Sequence, residues 1–246
     1  MPLPSVTQPL TIIGERADMT QVRSTVRAAL AATSIAALAA CGGGAASTGA
    51  PTFGGVLSAN SSPNFSDLQP VLNSVEEQRE RVQGFAGSRF KAIPDDRTVV
   101  FKGYGGVDLD FAPSTSPDLS VLGDARVVVD FENDQFRGAI TNMIAIGASN
   151  NVTGVLGDFT FTGGSVGGAN PNNFSLDYEA DLLVGPNDVE LSGTMDGIFR
   201  GTRANPGDRN PIKAIDASDT NPTITTGVGL KGATAHVIGE SFFPTD

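Results

Sequence analysis

From residue 98 onward the chain alternates apolar and polar positions with a period of two. The clearest stretch is "FSLDYEADL", in which Phe174, Leu176, Tyr178, Ala180 and Leu182 interleave with Ser175, Asp177, Glu179 and Asp181. Successive side chains of a strand point to opposite faces, so the pattern predicts one dry face and one acidic, wet face. After the turn-rich separator "VGPND" the alternation resumes at Val189, Leu191, Gly193, Met195, Gly197 and Phe199. Two such runs so joined predict a hairpin. A second hairpin is predicted where 126–131 and 136–140 flank "ENDQ", and further strands at 98–111, 152–162, 223–230 and 233–242.

About eight strands with no strong helical interruption predict an all-β domain over 98–243, an antiparallel meander that closes into a barrel. Glycines recur inside the strands, as they do at the sharply bent corners of barrels. A sandwich shares the same alternation and stays as the alternative. The lumen of an eight-stranded barrel holds packed side chains and little else. Burying many unpaired carboxylates there costs several kcal/mol each. The acids therefore belong outside, and the expected barrel is a soluble monomer.

Upstream the period changes to that of a helix. "SDLQPVLNSVEEQRERVQ" places Leu68, Val71, Leu72, Val75 and Val82 on one stripe, which predicts a helix over 66–84. Ser66 with Gln69 three residues later fits a capping box, and Asp67 suits the positive helix end. Pro70 falls within the first turn, whose N–H groups lack intrahelical partners anyway. Gly84 ends the helix. Before it, residues 41–63 are rich in Gly, Ser and Ala and nearly uncharged, the composition of a flexible tether.

The segment 19–40 has another character. Arg23 and Arg27 precede an uncharged Ala/Leu-rich run from Ala28 to Ala40, the layout of a secretory signal. Thirteen helical residues span only about 20 Å, too short for a bilayer core of roughly 30 Å. The chain's one cysteine follows at once. "LAAC", Leu38 to Cys41, resembles the bacterial lipobox. That resemblance implies cleavage between Ala40 and Cys41, a diacylglyceryl group on the Cys41 thiol and an acylated new amino terminus. Several acyl chains anchor stably where one holds weakly. Gly42 after the cysteine, rather than Asp, implies sorting to the outer membrane. Residues 1–18 fit no signal. Met19 is the expected start, with 1–18 a mis-assigned extension.

Composition narrows the function. Sixteen basic against 27 acidic side chains give a net charge of −11. Loss of residues 1–40, with three basic and two acidic side chains, takes it to −12. Phosphate neutralisation needs clustered Lys and Arg, so nucleic acid is not an expected partner. A single cysteine provides no disulfide framework, and no neighbouring base activates it as a catalytic thiol. His236 is the sole histidine, and no Gly-x-Ser-x-Gly elbow accompanies it. No His/Cys cluster has transition-metal spacing. "GGSVGG" lacks the Lys-Ser/Thr ending of a phosphate loop. Asp208, Asp216 and Asp219 miss the EF-hand spacing and read as solvated loop acids. The chain is expected to be no enzyme and to use no metal or cofactor.

Three segments carry a family resemblance. "LSGTMDGIFRGT" holds Gly197-Ile198-Phe199-Arg200-Gly201, similar to a Gly-x-Phe-x-Gly strand. "ARVVVDFENDQFRGAITNM" resembles a Val-Asp-Phe, polar turn, aromatic-x-Gly hairpin. "AHVIGESFF" is similar to a last barrel strand, with Glu240 where a second glycine is common. Together they resemble the β-barrel domains of transferrin-binding-protein-B-like surface lipoproteins. The resemblance implies an eight-stranded barrel, surface export and binding of a protein or a small or metal-bearing ligand. It transfers no ligand-contact residue. The leading expectation is a lipid-anchored, monomeric binding module of the outer membrane, its ligand an unidentified protein or small molecule. A structural or adhesive envelope protein is the alternative, and an envelope hydrolase ranks last.

Radiolabelled palmitate is expected to enter the wild-type protein and to be lost with Cys41→Ser, because a hydroxyl does not replace the thiolate nucleophile. Equal labelling of both proteins would overturn the lipobox reading.

Overall fold

In a computed structural model of the chain, residues 50–88, 97–111, 117–167, 172–201 and 212–242 are described. Two helices precede the sheet: α1, Phe53–Ala59, and α2, Phe65–Gly84. The strands are β1 Ala86–Gly87, β2 Thr98–Asp110, β3 Leu119–Asp130, β4 Gln135–Gly147, β5 Val152–Val166, β6 Asn173–Val184, β7 Asn187–Gly201, β8 Ile212–Asp219, β9 Thr223–Gly227 and β10 Gly232–Phe242.

From β2 to β7 each strand pairs antiparallel with the next. β8 pairs with β7, and β10 pairs with both β8 and β2, which closes an eight-stranded barrel. β9 continues along β7 beyond β8, and β1 extends the other edge of β7. The expected strand number is met with one exchange. The stretch "IKAIDASD", read above as loop, is barrel strand β8, while the predicted strand at 223–230 is the short β9. Ile212, Ala214, Ile215 and Ala217 are all buried. Ile212 and Ala214 are buried out of phase with Ile215 and Ala217, and the register against β7 shifts at this end of the strand, so the alternation that would have marked it is broken.

The alternation elsewhere sorts as expected. Leu176, Tyr178, Ala180 and Leu182 of β6 are buried in the core, and Glu179 and Asp181 are exposed. The ring of Phe199 lies 4.6 Å from that of Phe174, 5.3 Å from Phe131 and 6.4 Å from both Phe101 and Phe136. Gly197 makes room for this cluster, since a Cβ there would run into the Phe174 ring.

The outer face is not polar throughout. Tyr104, Leu122, Ile144 and Ile146 form an apolar outer strip, which Phe53 of α1 and Leu68 and Val71 of α2 cover. The helix predicted over 66–84 starts one residue earlier, and its cap is a correction. Asn64, not Ser66, is the N-cap, and Asp67, not Gln69, completes the capping box. Its Asn64 N–H donates to Asp67 Oδ2 at 2.9 Å. Gln78 Nε2 and the Arg81 guanidinium both donate to Glu240 of β10, at 3.1–3.2 Å. Glu240 thus fastens α2.

Residues 53–59, expected as part of the tether, form α1. Its sequence, "FGGVLSA", is a poor helix former, with two glycines and a valine. Asp124 of β3 compensates. Its Oδ1 accepts the Phe53 N–H and its Oδ2 the Gly54 N–H, both at 2.9 Å. These are orphan donors of a helix start, where a carboxylate is favoured.

Asp124→Ala is expected to cost about 0.5–2 kcal/mol, the range for a lost cap, and to speed amide exchange over residues 53–59 before the barrel strands. Unchanged exchange there would show that apolar packing alone holds α1.

Candidate functional site

Along most of the wall the strands pair without a break, but two places depart from this. Between β4 and β5, pairing runs from Gly138↔Phe161 to Ile140↔Phe159 and resumes only at Ile144↔Gly154. Residues 141–143 of β4 face 155–158 of β5 across a parted seam. Each side carries a residue at positive φ, Asn142 at 54° and Gly157 at 106°. A Cβ at Gly157 would collide with the Asp181 carbonyl oxygen, so the local path of β5 needs glycine. Asn142 tolerates this region better than most residues, and its Nδ2 donates to Asp124 Oδ2 at 2.9 Å. The carboxylate that caps α1 therefore also pins the distorted turn of β4.

The seam holds a cavity of about 200 Å³. Ile140, Met143, Val155 and Phe159, all core residues, form its apolar floor. Thr141, Asp158 and Thr160 stand at its mouth, and Leu57 of α1 reaches its edge. Leu156, 68 % exposed, and Leu183, 42 % exposed, face each other on the adjacent outer surface.

The second break lies between β7 and the β8–β9 junction. Asp196↔Ser218 and Ser192↔Thr223 bracket it. At this break Asp219 Oδ2 accepts from the Tyr178 hydroxyl at 3.1 Å. Gly193 leaves the space, for a Cβ there would strike the Asp219 carboxylate. Burial first, then the charge and hydrogen bond of Asp219, push the Tyr178 phenol well above its usual range. It is a fixed neutral donor. The ring of Tyr178 stacks on Phe159 with centroids 5.2 Å apart and planes 13° apart. Phe159 thereby connects the seam to the half-buried phenol–carboxylate pair.

The residues singled out in the sequence scatter. Ala40, Cys41 and Asp208 lie outside the described residues. Asp216 and Asp219 are not loop acids but members of β8, and both have partners. Asp216 Oδ2 takes Nε and Nη2 of Arg200 at 3.1 and 2.8 Å, while Asp219 bonds Tyr178. Gly163–Val166 of "GGSVGG" belong to β5. His236 lies on β10, opposite Ser218 of β8. Burial is the largest influence on His236 and moves its imidazole below the ordinary range. Asp108 and Asp216 oppose that shift, and Arg79 adds to it.

Among the described residues, no three His, Cys, Asp or Glu side chains are grouped to hold a metal ion. Sequence reasoning missed Asp124, Asn142 and the seam. Asn142 shows as a polar break in the alternation of β4. Nothing local marks Asp124, whose partners in α1 are about 70 residues away and whose third, Asn142, is on the next strand. No protein-family model matches the chain, and comparison with curated proteins gave no match.

A group whose folded pKa is depressed adds stability that is present above its unfolded value and lost as pH falls. For His236 that unfolded value is near 6.5. The urea midpoint is therefore expected to fall between pH 7 and pH 5, and to fall less in His236→Gln. An identical fall in both proteins would assign the acid sensitivity to the carboxylates instead.

Proposed function

We propose that this protein is a lipid-anchored envelope lipoprotein whose barrel is a water-facing binding module. The observation that carries the reading is the sorting of side chains across the barrel wall. Core positions are filled by Phe, Leu, Val and Ile, while Asp158, Glu179 and Asp181 are exposed on the outer face of β5 and β6. A membrane barrel has the reverse arrangement, with an apolar outer band. A barrel of this kind needs a separate anchor, and the signal at 19–40 with Cys41 as lipidation site supplies one. Among the described residues, no helix is long and apolar enough to cross a membrane.

The packed interior argues against a carrier that encloses its ligand in the lumen. It favours recognition on the outer surface, with the β4–β5 seam a place where the wall parts over a cavity. The resemblance to transferrin-binding-protein-B-like surface lipoproteins in strands β3, β4, β7 and β10 is consistent with this reading. Location in the outer membrane rests on Gly42, and surface display on that resemblance. The structural or adhesive alternative shares the anchor but needs no saturable ligand.

Residues 42–246, without signal and Cys41, are expected to stay monodisperse in detergent-free buffer with a β-type circular dichroism spectrum. Aggregation that only micelles relieve would mean an inverted barrel and would overturn the proposal.

A further inference from the structure

At the β4–β5 seam the wall is not sealed. Its ladder lapses, both strands adopt positive φ, and a cavity remains above core side chains. Non-glycine positive φ is a cost that persists only where the surroundings enforce it. Here the enforcement is visible, since Asp124 holds Asn142 on one side and the start of α1 on the other.

Size and lining define what fits. A cavity of about 150 Å³ lined by Leu, Ile and Phe accommodates benzene. The seam, at about 200 Å³, has room for one six-membered ring and a short substituent. Met143 adds an adaptable thioether, which makes favourable contacts with aromatic rings.

Charge defines the other end of the ligand. Asp158 at the mouth stands directly opposite Asp181, and Asp181 opposite Glu190. Three carboxylates thus form one row across β5, β6 and β7. Like charges in directly opposed positions repel. Among the described residues neither Asp158 nor Asp181 has an ion-pair or hydrogen-bond partner. A cation at the mouth relieves that repulsion, while an anion increases it.

We propose that the seam binds a small arylalkyl ammonium. Its single ring lies on Ile140, Met143, Val155 and Phe159, and its ammonium group stays in water beside Asp158. This specifies a ligand class for the binding-module reading and rests on it. Leu57 of α1 borders the ring, so the helix that Asp124 fastens forms one lip of the site.

The full chain labelled at its methionine methyls provides the test. It has four methionines. Met143 reports on the seam, Met195 is fully buried in the core and not part of the cavity lining, and Met143→Leu assigns the reporter signal. Titration with 2-phenylethylammonium is expected to move the Met143 methyl saturably and to leave Met195 in place. Ethylbenzene should bind more weakly, and 3-phenylpropionate more weakly still. Asp158→Asn should weaken the cation about 1.5- to 5-fold, the range for one exposed charge contact, and leave ethylbenzene unchanged. Asp158 is exposed, so this variant does not put folding at risk. A Met143 signal that none of the three probes moves, or that all three move with equal affinity, would overturn the proposal. Saturable capture of a protein ligand alongside a silent Met143 would remove this site and leave the binding-module reading intact. Aggregation of the soluble domain that only micelles relieve would overturn the binding-module reading and this site with it.

Discussion

An eight-stranded barrel has room inside for its own side chains and for little else. Most of the architecture of this chain follows from that limit on volume. Large rings occupy the lumen only because glycines stand beside them. Gly193 yields space to Tyr178 and Asp219, and Gly197 to Phe174. The aromatic cluster around Phe199 then fills the interior at ring separations of 4.6–6.4 Å. The Tyr178–Asp219 pair is the polar exception, and it sits where the wall breaks. With the lumen filled, carboxylates have only the outer face.

Closing so small a barrel coils the strands strongly, and the coiling is not spread evenly. It concentrates at bulges such as the one between Leu122 and Asp124, and at the β4–β5 lapse. Two features at these points depend on each other. Asp124 projects from the bulge far enough to cap α1, and α1 covers the outer strip around Tyr104 and Ile144. The Tyr104 hydroxyl completes the attachment, donating to the Pro51 carbonyl at 2.8 Å and lying 3.1 Å from Ser74 Oγ. Distortion, helix docking and cavity are consequences of one closure constraint.

The helices also explain why the outer face of the barrel is divided. On the β5–β7 side, which neither described helix covers, the outer residues include the acids Asp158, Glu179 and Asp181, with Leu156 and Leu183 an exposed apolar pair among them. On the β2–β4 side apolar residues recur outside, because α1 and α2 lie there. Glu240 and Arg200 work at the margins of that covered region. Glu240 holds Gln78 and Arg81 of α2, and Arg200 joins Asp216 to the Phe85 carbonyl just beyond α2.

Local pattern by itself determined the period-two strands, the two clear hairpins, α2 and the side of the wall on which the acids lie. Those features were legible because each depends on residues a few positions apart: alternation requires one dry face, and a helical stripe one buried side. Only the tertiary structure decided the rest. β8 loses its alternation because its buried residues change phase where its register against β7 shifts, so "IKAIDASD" carries no clear signal of its own. α1 carries two glycines in seven residues, and its start is fastened from afar, by a carboxylate some 70 residues away that accepts its first amide protons. The seam is still less local, since it exists only where β4 and β5 fail to match in a ring that must close. A chain read residue by residue shows which face of each strand prefers water, but not where eight strands, once joined, have to part.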